Sequence, residues 1–102
     1  MVERIELAEG FIAFVQVADF ADVYDIEVRA ECRRQGYGRS LMQLFLDEMK
    51  SRGVVDVTLE VRVDNVAAIA LYEKFGFERL SIRKKYYNDG CDGQLMRLKV
   101  KK

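Results

Sequence analysis

The sequence predicts an α/β fold, a mixed β-sheet with helices packed on its faces. Several short runs alternate apolar and polar residues, two longer runs switch to helical spacing, and one helical run lies between strand-like segments. A strand, a helix and a strand in that order form a parallel, right-handed crossover. The 102 residues, half of them hydrophobic and a third charged, suit one compact domain spanning 1–102 with one core.

Arg4 to Ala8 alternate, Gly10 offers a turn, and Phe11 to Val17 form a nearly continuous apolar run, so these segments read as a hairpin. Tyr24, Ile26 and Val28 alternate with Asp25 and Glu27 and predict a third strand. Beyond Gly36-Tyr37-Gly38, the residues Leu41, Leu44, Phe45 and Met49 recur at helical spacing, and Gly53 supplies a stop. Val55, Val57, Leu59 and Val61 alternate with Asp56, Thr58, Glu60 and Arg62, a strand whose faces meet different surroundings, with Glu60 opposite the valines. Asn65 is a suitable N-cap for a helix running to Phe75, where Gly76 can take a left-handed conformation. Two further strands, Arg79–Tyr87 and Gln94–Lys99, flank the turn Asn88-Asp89-Gly90.

Lys plus Arg number 17 and Asp plus Glu number 17, so no net field draws the chain to nucleic acid or to an anionic membrane. No apolar run reaches the length of a membrane span, and the charged opening Glu3-Arg4 does not read as a signal peptide; a cytoplasmic protein is expected. Cys32 and Cys91 lack metal-ligand spacing, the chain has no histidine, and two free thiols with no metal site are expected. Without histidine, acid-base chemistry falls to carboxylates, tyrosine or lysine.

The segment Arg33-Arg34-Gln35-Gly36-Tyr37-Gly38-Arg39 combines bare backbone, a helix N-terminus and three arginines, features that suit a diphosphate. It is neither a P-loop, since no Gly-Lys-Ser/Thr follows, nor a dinucleotide fingerprint, since Leu41 stands at the third glycine position. Taken alone it fits a flexible helix-opening turn equally well.

Two motifs carry a resemblance. R-R-Q-G-Y-G, residues 33–38, is similar to the R/Q-x-x-G-x-G/A loop with which GNAT acetyltransferases hold the diphosphate of acetyl-CoA. L-E-V-R-V-D-N-V-A-A-I-A-L-Y-E-K-F-G-F, residues 59–77, resembles the L-E-V-R-x-x-N-x-x-A-x-x-L-Y-E-x-x-G-F block of N-terminal protein acetyltransferases, in particular the bacterial ribosomal-protein alanine N-acetyltransferases. Arg83-Lys84-Lys85-Tyr86-Tyr87, Asp92 and Met96 also fit the end of that domain, so the likeness runs from about residue 11 onward.

The resemblance implies that Ile26, Glu27 and Val28 lie on the strand that binds the pantetheine arm of acetyl-CoA. It places Arg33, Arg34, Gln35, Gly36, Tyr37, Gly38 and Arg39 in the diphosphate loop, and Asn65 against the cofactor. Glu60 falls on the family's general base and Tyr72 on its general acid. A carboxylate can deprotonate an ammonium acceptor, a phenol can protonate the departing thiolate, and a strand N–H near Val28 can stabilise the oxyanion. Each residue also has a plainer role: Glu60 as a solvated strand residue, Tyr72 as a packed helix residue, Asn65 as a helix cap and Glu27 as a surface acid. Arg83, Lys84 and Lys85 read as a solvated strand edge, and Tyr86 and Tyr87 as walls of the acceptor site.

The family's domain opens with a strand and two helices that wall the acceptor site, and the expectation is a GNAT-like fold lacking them. The expected partners are acetyl-CoA and an amine acceptor, a protein N-terminus or a small amine. A homodimer paired through an exposed sheet edge would supply a missing wall. A non-catalytic acyl-CoA-binding module and a structural subunit are the other readings.

Overall fold

The computed structural model describes residues 1–100. Six strands, β1 (Glu3–Leu7), β2 (Gly10–Val17), β3 (Phe20–Val28), β4 (Asp56–Arg62), β5 (Glu78–Arg83) and β6 (Gly93–Lys99), form one sheet in the order β1-β2-β3-β4-β6-β5. Helix α1 (Tyr37–Ser51) connects β3 to β4, the one parallel pair, and α2 (Val66–Lys74) connects β4 to β5. The remaining neighbours pair antiparallel. The mixed α/β sheet and its crossover are as the sequence predicts.

Both helices cover the same face, whereas helices on both faces were expected. Val57, Leu59 and Val61 of β4 are buried together with Met42, Phe45 and Met49 of α1 and with Ile69 and Tyr72 of α2, while alternation turns Thr58 and Glu60 to the opposite face. Phe14 and Phe45 meet edge to face, 5.1 Å between centroids, where β2 lies under α1. In α1 the buried set is Leu41, Met42, Phe45 and Met49. Leu44, expected on that face, is 44% exposed, because the 3.6-residue period carries it beyond the contact stripe that Met42 fills.

Strand β3 contains a bulge. Val23 pairs with Phe14 and Asp25 with Ala13, leaving Tyr24 as an extra residue. The insertion resets the alternation, so that Ala21 and Val23 before it and Ile26 after it all pack in the core. Strict alternation of Tyr24 with Ile26, the sequence expectation, does not hold, and Tyr24 is 62% exposed.

β5 stops at Arg83, four residues short of the predicted end at Tyr87. Lys85 takes a left-handed φ of 52° and donates its backbone N–H to Asp92 Oδ1 at 2.9 Å, which turns the chain out of the sheet. Tyr86 and Tyr87 therefore belong to a turn.

Gly10 is where β2 begins beside the end of β3. A Cβ there would stand 2.1 Å from the Glu27 carbonyl oxygen. Gly10→Ala should lower stability in urea unfolding by about 1–3 kcal/mol, the usual cost of forced overpacking. Val17→Ala at the exposed far end of the same strand should stay within about 0.5 kcal/mol of the parent.

Candidate functional site

β3 and β4 pair from Phe20↔Asp56 to Val23↔Leu59 and then diverge at the bulge. Beyond that point β3 remains paired with β2 through Val28, and β4 remains paired with β6 through Arg62. The wedge between them is a cavity of about 230 Å3, lined by Tyr24, Asp25 and Ile26 on one side and by Glu60, Val61 and Arg62 on the other, with Asn65, Tyr72 and Tyr87 closing it. A larger groove of about 790 Å3, between α1, the end of α2 and β5–β6, contains none of the sequence-predicted site residues. The smaller cleft holds Glu60, Tyr72 and the unpaired strand edge.

Glu60 enters the cleft from β4. Its side chain is 18% exposed, and Arg83 Nε lies 2.9 Å from Oε1. Oε2 is buried without a hydrogen-bond partner. The charge of Glu60, and after it a hydrogen-bonding approach of the two side chains, holds the Tyr86 phenol above the ordinary tyrosine range. Tyr86 and Tyr87 meet edge to face at 5.0 Å. Arg62 holds this turn: its guanidinium binds Asp89 at 2.6 Å and Asp64 at 3.1 Å and lies 5.1 Å from the Tyr87 ring centre.

Tyr72 comes from α2, where the Asn65 side chain caps the helix by accepting from the Ala68 N–H at 3.2 Å. The Tyr72 ring leans on Phe77 with centroids 6.0 Å apart. Burial, with smaller contributions from Tyr87 and Asp25, pushes the Tyr72 phenol up to about 12. At neutral pH the group is therefore a loaded proton donor.

At the open end of β3, residues Ala30–Cys32 make one 3-10 turn and Gly36 starts α1 with φ 83°. The first bond of the helix runs from the Ser40 N–H to the Gly36 carbonyl at 3.1 Å, so the N–H groups of Tyr37, Gly38 and Arg39 have no intrahelical acceptor. No acidic residue occupies the first turn. The Cβ position of Gly38 is 3.6 Å from Leu71 and 4.0 Å from Val28, so the loop sits between β3 and α2. Arg33 turns back and donates from Nε to the Val28 carbonyl at 3.1 Å, and Gln35 donates to the Glu31 carbonyl. Among the described residues Arg34 and Arg39 form no ion pair.

The cleft thus brings together Ile26, Glu60, Asn65 and Tyr72, and the Arg33–Arg39 loop lies beyond its β3 end. Glu27 is exposed, pairs with Phe11 and does not line the cleft. Sequence reasoning missed Arg62 and Arg83. The second was read as a solvated edge residue, and nothing in the local pattern announces that β5 ends across β6 from Glu60.

The family model described as "Acetyltransferase (GNAT) family" matches residues 8–77. The chain belongs to the GNAT acetyltransferase family. Over 71 residues it is 48% identical to the [Ribosomal protein bS18]-alanine N-acetyltransferase of Escherichia coli, covering 70% of this chain and 48% of the relative. It is 45% identical over 91 residues to N-alpha-acetyltransferase 30 of Schizosaccharomyces pombe, covering 89% of this chain and 53% of the relative. The chain spans about half the length of these curated relatives. The crystal structure of the Escherichia coli ribosomal-protein-S18-alanine N-acetyltransferase superposes with TM-score 0.87 at 41% identity, over 92% of this chain and 63% of that one. For Ard1 of Thermoplasma volcanium the TM-score is 0.85 at 33% identity, over 91% and 64%. The GNAT chain is thus short against full-length members. Among its described residues no helix is long and apolar enough to cross a membrane, and no cluster of metal-ligating side chains occurs.

The raised Tyr72 ionisation has a thermodynamic counterpart. An unfolded tyrosine ionises near pH 10 and the folded one near 12, so folding favours the neutral phenol. That contribution is complete below pH 10 and is lost as pH rises through about 12. Tyr72→Phe removes it, and urea unfolding across that window should show a shallower alkaline loss of stability in the variant than in the parent.

Proposed function

We propose that the chain transfers the acetyl group of acetyl-CoA to a primary amine, with a protein N-terminal amine as the preferred acceptor, Glu60 as base and Tyr72 as acid. The observation that carries this reading is the wedge itself: an unpaired strand edge, a carboxylate and a proton-loaded phenol in one cleft that opens toward a bare helix N-terminus. The relatives, an alanine N-acetyltransferase of ribosomal protein bS18 and N-alpha-acetyltransferases, support the acceptor class and a cytoplasmic setting.

The residues suit acetyl-CoA. The free N–H groups of Tyr37, Gly38 and Arg39, together with Arg34, would hold the diphosphate, and the gap-facing edge of Ile26–Val28 would pair with the amides of the pantetheine arm. Asn65, already committed through Oδ1 to the helix cap, keeps its amide N–H donors for the same ligand. Acetyl-CoA supplies a thioester carbonyl to the acceptor. Glu60 takes a proton from the ammonium group so that the nitrogen lone pair can attack, a C–N bond replaces the C–S bond, and Tyr72 returns a proton to the departing sulfur. The balance is one ammonium and one thioester giving one amide, one thiol and one proton released to water.

One observation favours a second reading. Glu60 is engaged by Arg83 and its other oxygen is covered, as in a site that binds the acyl-CoA without turning it over. Thiol release from acetyl-CoA, with a short peptide bearing a free N-terminal alanine as acceptor, separates the two. The transferase reading expects turnover that Glu60→Gln and Tyr72→Phe each reduce by about 10²–10⁴-fold, with calorimetric affinity for acetyl-CoA essentially unchanged. Binding without turnover supports the alternative.

Gly36→Glu tests the diphosphate loop separately. It forces a side chain onto a left-handed backbone and places a negative charge at the helix N-terminus. Acetyl-CoA affinity should fall by at least about tenfold, a change of about 1.4 kcal/mol.

A further inference from the structure

We propose that Arg83 is a positioning residue for this reaction: by holding Oε1 of Glu60 it fixes the plane of the carboxylate and leaves Oε2 as the single acceptor for an N–H of the arriving ammonium group. The inference rests on Glu60 acting as the base.

The geometry is indirect in sequence and specific in space. β4 and β5 are not neighbours, since β6 lies between them. Glu60 pairs with Leu95 and Arg83 with Gly93, so the ion pair reaches diagonally across β6. Gly93 makes room for the Tyr86 ring: a Cβ there would stand 3.2 Å from Cδ2 and 3.3 Å from Cβ of Tyr86. The Tyr86 ring lies across the bare glycine and backs the Arg83 guanidinium, 5.8 Å from its centre. Arg83 is thereby directed toward Glu60 by its strand and by the ring behind it, which Gly93 admits.

This is not an ordinary surface pair. The Glu60 side chain is 18% exposed against 54% for Arg83. A carboxylate drawn that far out of water requires a counter-charge or donors, and Arg83 supplies one contact through Nε. Oε2 has no well-formed hydrogen bond, and a buried acceptor so left is costly unless a ligand satisfies it. Oε2 is also covered, so an arriving ammonium group satisfies it once the side chains over it move aside. With Oε1 pinned, the free oxygen is presented in one orientation rather than sampled by rotation about the terminal torsion.

The test uses the full chain with acetyl-CoA and the alanine-initiated peptide. Arg83→Ala should lower kcat by about 10–100-fold and leave the KM for acetyl-CoA unchanged. Arg83→Lys should restore most of the rate, and guanidinium ion, well below denaturing concentration, should rescue Arg83→Ala but not Glu60→Gln. A normal or raised kcat in Arg83→Ala, or a loss that neither lysine nor guanidinium relieves, overturns the proposal. If Glu60→Gln is inactive while Arg83→Ala is normal, only this inference fails; if Glu60→Gln is itself active, the assignment of the base fails with it. A readout that needs no turnover is nuclear magnetic resonance exchange of the Arg83 Nε–H proton. It should be slower in the parent than in Glu60→Gln, whereas equal exchange in the two overturns the proposal.

Discussion

A strand inside a sheet is normally hydrogen-bonded on both sides, because each residue carries one donor and one acceptor that must find partners. β3 meets this condition only as far as Val23. The extra residue at Tyr24 bends the strand, increases its twist and separates it from β4, so an open backbone edge lies within the body of the sheet. The other parts of the site follow from that separation. α1 follows β3 after the Ala30–Cys32 turn and closes the wide end of the wedge, which requires Gly36 for the turn and Gly38 for close approach to Leu71 and Val28. α2 shuts one side with Tyr72, and Glu60 stands on the strand that has moved away.

Charge then fastens the third wall. The chain is neutral overall, and its local pairing is specific. Arg62 on β4 binds the turn at Asp89, while Arg83 at the end of β5 returns to β4 at Glu60. The turn carrying Tyr86 and Tyr87 is therefore tied to β4 from both of its ends. The fully exposed pairs of this set add little stability. Their value lies in fixing where the two rings stand relative to the carboxylate.

The sequence reveals the elements more clearly than their meeting points. Alternation at Val55–Val61 identifies β4 and the side from which Glu60 emerges, and the glycines at 36 and 38 mark the start of α1, because both patterns depend on local geometry. The block from Leu59 to Phe77 identifies the family. The bulge leaves no trace in composition, since two residues opposing one is a property of the pairing and not of either strand alone. The common face of α1 and α2, the end of β5 at Arg83 and the exposure of Leu44 likewise depend on tertiary contacts. Arg83 shows the limit most plainly: among three consecutive basic residues, only register across β6 distinguishes the one that reaches Glu60.

At the end of the molecule remote from the cleft, Arg52 follows the last turn of α1. Its guanidinium binds Glu48 of α1 at 2.8 Å, Glu3 of β1 at 2.9 Å and Gln16 of β2 at 3.0 Å, and lies 5.4 Å from the Phe14 ring centre. Nearby, Asp19 accepts from the Val55 N–H at 2.7 Å, joining the turn before β3 to the approach to β4. The fold is thus built like a spring clip, clamped where β3 and β4 run together and split where they part. β3 has sheet partners on both sides at the clamped end and on one side only beyond Val23, and a backbone edge with fewer tertiary hydrogen bonds is where local opening costs least. A ligand that bridges the two strands there would supply the partners that β3 lacks, and so stabilise the fold from its split end.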